Sequence, residues 1–177
     1  MGCTAAVIPM EPIRVDAPEG ISVRPAVRED CDALLALYCE VHDSHLDQHP
    51  DEFEPLTPED EAKLLQQFAR ADGPRLLVAE SPRGPVGCVR FELQDVGRSG
   101  HRRRSRLYVN LLVVAPKWQA RGVGGLLLEH VHVFARSHGI DTIELDVHEF
   151  NAAARRLYDR FGYQTVMRRM KLRLGRR

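Results

Sequence analysis

Three glycines, Gly122, Gly124 and Gly125, stand between an apolar run, Leu107–Ala115, and a helical pattern carried by Leu126, Leu127, Val131 and Phe134. The run has the length and β-branched content of a buried strand. Each glycine near a helix start costs roughly 1 kcal/mol against alanine, so the three weaken this turn by about 2–3 kcal/mol. Arg121 adds a cation where the helix dipole is already positive, which is also unfavourable. Both costs are accounted for if an anion docks there. Glycines let its oxygens approach the backbone, free N–H groups bond them, and the arginine balances the charge. A chain with this strand, turn and helix is expected to be an α/β protein with an anion site at the turn.

Two common anion loops do not match the spelling. A dinucleotide fingerprint needs glycine where Leu127 stands, and a P-loop needs Gly-Lys-Ser/Thr. The pattern Gln119-Ala120-Arg121-Gly122-Val123-Gly124 reads Q/R-x-x-G-x-G/A. It resembles the pyrophosphate-binding signature of the GNAT family of N-acetyltransferases. Downstream, Asn151, Ala154, Leu157, Tyr158, Gly162 and Tyr163 fall at every fixed position of N-x-x-A-x-x-L/F-Y-x-x-x-G-F/Y, which resembles the second signature of the same family. The physical reading is independent of the likeness. Asn151 is a good N-cap and Gly162 is placed to end the helix in a left-handed conformation. Asn151 and Tyr158 are seven residues apart, so they share a helix face about 10.5 Å apart along the axis.

The remaining elements follow the family's order. Residues 1–19 read as a disordered leader and 20–177 as one N-acetyltransferase domain. Ile21–Pro25 alternates as a strand, and Asp30 can cap a helix whose apolar face is Leu34, Leu37, Tyr38 and Val41. Asp43–Pro55 reads as a loop, and Thr57-Pro58 starts a second helix. Arg75–Glu80 and Pro85–Leu93 form a hairpin around Ser81–Gly84, and Gln94–Arg104 is a polar, basic loop. Ser105–Ala115, the helix Gly122–His138 and the strand Thr142–Val147 make a βαβ unit. Tyr163–Leu174 is expected as a last strand with Val166, Met170, Leu172 and Leu174 inward. The resemblance covers Ile21–Leu174. It implies a GNAT-like mixed, mostly antiparallel sheet of six to seven strands, helices on both faces, and a splayed central parallel pair.

What the family does gives the expected chemistry: direct transfer of acetyl from acetyl-CoA to a primary amine. By resemblance, the backbone of Leu112, Val113 and Val114 pairs with pantetheine. The amides of Gln119, Ala120, Arg121, Gly122, Val123, Gly124 and Gly125 hold the pyrophosphate, and Asn151 also lines the cofactor. Tyr158 sits where the family places the donor to the departing thiolate. A phenol is neutral at pH 7, with an unperturbed pKa of about 10. The base is unassigned. Where histone-modifying relatives carry a glutamate this chain has Tyr108, and Asn110 and Leu111 are neutral too. Glu92, His148 and Glu149 are the candidates, with His45 and His49 as further options. The alternative is a non-catalytic acyl-CoA-binding module or sensor on the same fold, which the missing base favours and Tyr158 opposes.

Charge and cysteines narrow the setting. Net charge is zero, yet residues 1–97 carry 8 Lys/Arg and 19 Asp/Glu, against 17 and 6 in residues 98–177. Glu29–Ala62 holds twelve acidic residues and no Lys or Arg. The basic half, with both signatures, suits a polyanion such as coenzyme A, and the acidic half suits a cationic amine. No apolar run approaches the ~20 residues of a membrane helix, so no membrane partner is expected. Arg102-Arg103-Arg104 lacks the aromatic pattern of a nucleic-acid surface, so nucleic acid is not expected either. Cys3, Cys31, Cys39 and Cys88 show no CxxC spacing and read as reduced thiols, which makes the cytoplasm the default location. A zinc site from His42, His45 and His49 would need a helix running through the neighbourhood of Pro50, so no metal is expected. Strand edges at the C-terminus leave room for a homodimer.

Overall fold

A computed structural model describes residues 18–70, 75–96, 104–172 and 174. The expected leader as far as residue 17 and the centre of the basic loop, including Arg102 and Arg103, lie outside these residues. The chain divides into two compact units, the first ending at Asp146 and the second beginning at Val147.

In the first unit, β1 (Ser22–Pro25), β2 (Leu76–Ser81), β3 (Gly84–Val96), β4 (Arg104–Val114) and β5 (Ile143–Leu145) form one sheet in sequential order. Every pairing is antiparallel except the last: β4 and β5 run parallel. The helix α3 (Val123–Ser137) supplies the crossover between them. It lays Val123, Leu126, Leu127, Val131 and Ala135 on Leu77, Ala79, Val89, Phe91, Leu107 and Val109. Leu34 and Leu37 of α1 (Cys31–Gln48) and Phe68 of α2 (Pro58–Ala69) cover Leu76, Val78, Cys88 and Val113 on the opposite face. A strand covered on both sides must be apolar at successive positions, which is why Leu76–Ala79 is buried without alternation.

One irregularity in β4 positions the site. Arg90 pairs with Leu111 but Phe91 pairs with Val109, so Asn110 is an extra residue, a β-bulge. The bulge shifts the side-chain phase. Leu107 and Val109 point toward α3 before it, and Leu112 and Val114 do so after it. Leu111 and Val113 turn to the face of α1 and α2.

Several expectations are corrected. Among the described residues the sheet has five strands, not six to seven: residues 163–172 form no strand, and Val166, Met167, Met170, Leu172 and Leu174 are exposed. Apolar alternation gives a strand only where an edge receives it, and this segment has no ladder partner among the described residues. Asp43–Gln48 is not loop but the last turns of α1. His42 and His45 on that helix both pack against the ring of Phe53, at 5.7 and 5.5 Å between centroids, so the helix is held by aromatic contacts. Asp30 does not cap α1 with its side chain. It takes two hydrogen bonds from Arg24, at 2.7 and 2.9 Å, and one from the Val27 amide. Thr57 does cap α2, accepting from the Asp60 amide while the Asp60 carboxylate bonds back.

The second unit holds α4 (Ala152–Arg160). Asn151 caps it, accepting from the Ala154 amide at 3.0 Å. Gly162 ends it with φ 78°. The Gly162 amide bonds the Asp159 carbonyl and the Tyr163 amide the Tyr158 carbonyl, the paired bonds of a Schellman closure.

Candidate active site

The parallel pair is short. Leu107, Tyr108 and Val109 pair with Ile143, Glu144 and Leu145, and there the pairing stops, while β4 runs on to Val114. Bulge and end of pairing coincide at Asn110, so β4 leaves β5 and presents one edge of Asn110–Val114 with no strand beside it among the described residues. An unpaired strand edge offers backbone donors and acceptors to an extended ligand. Leu112, Val113 and Val114, the residues expected to meet pantetheine, lie on this stretch.

At its end the chain turns through Pro116–Trp118 into the glycine turn. Gly122 has φ 89°, and Ala120, a residue with a Cβ, has φ 56°. A left-handed alanine costs about 1–2 kcal/mol, and such strain marks functional turns. Left-handed residues just before a helix start are a backbone setting in which amides can converge on an anion. The Gln119 side chain is used differently: its Nε2 donates to the Val114 carbonyl at 3.0 Å, tying the turn to the strand. The Arg121 guanidinium lies 5.7 Å from the centre of the Trp118 ring and is exposed.

Where β4 and β5 part, the Tyr108 hydroxyl donates to Asp146 Oδ2 at 2.7 Å. Burial, and then that bond, raise the Tyr108 phenol above its ordinary value, so it stays a donor. Asp146 is exposed. Glu92, directly across from Tyr108 on β3, accepts from Gln94 Nε2. Gln94 in turn accepts from Arg106 at 2.8 and 3.0 Å, and Arg106 pairs with Glu144. The structure therefore brings Glu92 and Tyr108 to one face of the sheet, and it adds Asp146, which the sequence reading missed. The sequence offered only an acidic residue within the expected strand Thr142–Val147; the structure ends that strand at Leu145 and so puts Asp146 at the mouth of the parting pair.

His148, Glu149, Asn151 and Tyr158 all belong to the second unit. His148 stacks on Phe150 at 4.9 Å, and Glu149 is exposed and paired with Arg155 at 2.8 Å. Tyr158 is buried, with the Tyr163 ring 5.6 Å away, and burial pushes its phenol up to about 12. It is neutral throughout the physiological range. Of the three cysteines described, Cys88 is fully buried and burial pushes its thiol up to about 12, leaving it unreactive. Among the described residues no helix is long and apolar enough to cross a membrane.

Residues 38–163 match the acetyltransferase (GNAT) family. A mycothiol acetyltransferase of Propionibacterium freudenreichii is 30% identical over 156 residues, covering 88% of this chain and 47% of that protein. The chain thus spans about half the length of that relative, and of a second mycothiol acetyltransferase from Kytococcus sedentarius, 32% identical over 152 residues and 85% of this chain. A thialysine N-epsilon-acetyltransferase of Bos taurus is 28% identical over 158 residues, 82% of this chain and 85% of that protein. Among solved structures, a tetramutant protein from Bacillus halodurans superposes with TM-score 0.72 at 25% identity, over 86% of this chain and 99% of the other. An aminoglycoside N-acetyltransferase in complex with CoA shares the fold, with TM-score 0.66 at 14% identity over 87% and 94% of the two chains.

Proposed function

The chain belongs to the GNAT acetyltransferase family, and on that footing we propose that it is an acetyl-CoA-dependent N-acetyltransferase with a primary amine as acceptor. One observation carries the reading: β4 parts from β5 at Asn110 and delivers its open edge to a strained glycine turn. An elongated thioester with a pyrophosphate at one end matches that sequence of features. The relatives named for thialysine and mycothiol support an acetyl acceptor that is a small molecule.

In this scheme coenzyme A lies along Leu112–Val114 with its pyrophosphate on the amides from Ala120 to Gly125. Gln119 acts as the brace that shapes the turn. The amine nitrogen attacks the thioester carbonyl, the C–S bond breaks, and the thiolate leaves. The proton lost by the ammonium goes to Asp146, which Tyr108 holds in place. Asp146 thereby replaces Glu92, His148 and Glu149 as the base of choice. Glu92 is committed to Gln94 and Glu149 to Arg155, whereas Asp146 stands exposed with one oxygen on a phenol.

Tyr158 has a narrower role than that of a full acid. Moving a proton from a phenol near 12 to a thiolate whose acid lies near 8.5 is uphill by roughly 5 kcal/mol. Its part is to donate a hydrogen bond to the developing negative charge on sulfur. A screen of primary amines with acetyl-CoA, following free thiol, tests the reading. Tight acetyl-CoA binding with no thiol released by any amine would support the sensor instead.

A further inference from the structure

Behind the bulge, on the α1–α2 face of the sheet, lies a pocket of about 130 Å³ lined by Tyr38, Leu64, Gln67, Phe68, Arg90, Asn110 and Leu111. Whole small-molecule ligands occupy roughly 300–1,000 Å³, so this pocket has room for one end of a molecule. Its lining is selective in a way its surroundings are not. The flanking segment Glu29–Ala62 holds twelve acidic residues, yet no carboxylate lines the pocket. Its four polar side chains are all capable of donating hydrogen bonds: the Arg90 guanidinium, the Gln67 and Asn110 amides and the Tyr38 phenol.

Gln67 and Asn110 are exposed at the mouth, while Arg90 and Tyr38 are half-buried. Among the described residues, none of the four side chains has a hydrogen bond, and Arg90 has no ion pair. Contrast Arg106, sixteen residues on and on the same face, whose guanidinium is matched by Gln94 and Glu144. A half-buried guanidinium without a counter-charge is costly, and that cost is relieved by an anion that enters. Arg90 lies two residues from Glu92, the residue facing Tyr108, so roughly 7 Å of strand separates the pocket from the Tyr108–Asp146 pair.

We propose that this pocket takes a carboxylate carried at the far end of the acceptor, making the substrate class amino acids or amino-acid-like amines rather than simple polyamines. The assignment rests on the acetyltransferase reading for the amine end. It deepens that reading by giving the acceptor two recognition points: an anion hole formed by Arg90, Gln67 and Asn110, and the Asp146 carboxylate for the ammonium. It also gives the acidic surface of α1 and α2 a different sense. That surface attracts the ammonium, while this pocket sorts acceptors by their acid.

The test separates pocket from chemistry. Hexanoate and hexanamide are titrated by NMR into the wild-type chain, Arg90→Met and Gln67→Glu. Hexanoate is expected to bind the wild type at least tenfold tighter than hexanamide, and to lose tenfold or more in each variant. The Gln67→Glu change sits on a helix and guards against a folding defect in the β3 variant. Equal binding of the two probes, or hexanoate binding unchanged in both variants, overturns the proposal. In parallel, 6-aminohexanoate is compared with 6-aminohexanamide as acceptors. A kcat/KM preference of tenfold or more for the acid, abolished in Arg90→Met, supports the proposal. Equal use of the two acceptors overturns it. Hexanoate binding with no amine acetylated would leave the pocket in place and remove the transferase reading.

Discussion

Tyr108 and Asp146 are joined by a 2.7 Å hydrogen bond at the point where the two parallel strands separate. The phenol belongs to the last stretch of β4 still paired with β5, and the carboxylate is the first residue after β5. Asp146→Asn keeps the size and removes the basicity. With a good amine acceptor, kcat/KM is expected to fall 10²–10⁴-fold, and acetyl-CoA affinity to stay within a few-fold. Tyr108→Phe, which frees the carboxylate without removing it, should cost less, about tenfold. Activity unchanged in Asp146→Asn would exclude it as the base.

Tyr158→Phe removes one hydroxyl and keeps the ring that meets Tyr163. Loss of one preorganised donor to a developing anion costs about 10²–10³ in kcat, and a fall of at least tenfold is expected. Because the phenol stays protonated up to about 12, its ionisation should leave no alkaline limb in the rate profile below about pH 11. A limb near pH 8–9 that vanishes in Tyr158→Phe would contradict the assignment.

The glycine turn can be probed by two opposite substitutions. Gly122→Ala forces a Cβ into φ 89° and should cost about 1–2 kcal/mol of stability, along with part of the coenzyme A affinity. Ala120→Gly relieves the strain at φ 56° and should leave stability unchanged or raise it by up to about 1 kcal/mol. Urea denaturation reads both. Trp118 emission should change on coenzyme A titration as Arg121 leaves the ring for the pyrophosphate, and Arg121→Ala should weaken that binding.

Arg24 holds Asp30 at 2.7 Å and Glu80 at 2.8 Å, linking β1, β2 and the start of α1. The Arg24 hydrogen bond draws the Asp30 carboxyl below the usual range. A depressed folded value means the stabilisation is complete above the unfolded pKa, near 3.9. It is lost as pH falls below that toward the folded value. Asp30→Asn should therefore cost about 2–3 kcal/mol at pH 7 and much less at pH 2–3. An equal cost at both pH values would show that charge is not the cause.

Gly87 lies where β3 passes under α3. A Cβ there would sit 2.9 Å from the Val113 carbonyl and 3.3 Å from Val123. Gly87→Ala is expected to destabilise by about 1–3 kcal/mol, because the nearest obstacle is backbone and cannot swing away. A thermal melt provides the check.

How much of this was legible in the sequence depended on how local each cause is. The turn around Gly122, the Asn151 cap, the Gly162 closure and the Thr57–Asp60 box are set by residues within a few positions of one another. The parallel pairing of β4 with β5 follows from the helix between them. The course of α1 through His42 and His45 was hidden because its last turns are held by Phe53, off the helix. Asp30 looked like a cap because its partners, Arg24 across a turn and the Val27 amide, are invisible to periodicity. The apolar alternation of Val166–Leu174 describes a strand in search of an edge, which only tertiary structure can supply. Asp146 and Arg90 acquire meaning from the end of one pairing and the lining of one pocket.

The extra residue at Asn110 makes β4 a strand of two phases, with odd-numbered side chains under α3 before it and even-numbered ones after it. Removing that one residue would let Leu111 follow Val109 in plain alternation, with Arg90 still opposite Leu111 and Phe91 still opposite Val109. Leu112 and Val114 would stay toward α3, and Leu111 and Val113 toward α1 and α2. A deletion at Asn110 should therefore keep both hydrophobic faces and straighten the strand. What it removes is the local bend at the point where pairing with β5 ends, so a chain without Asn110 should hold its stability better than its grip on coenzyme A.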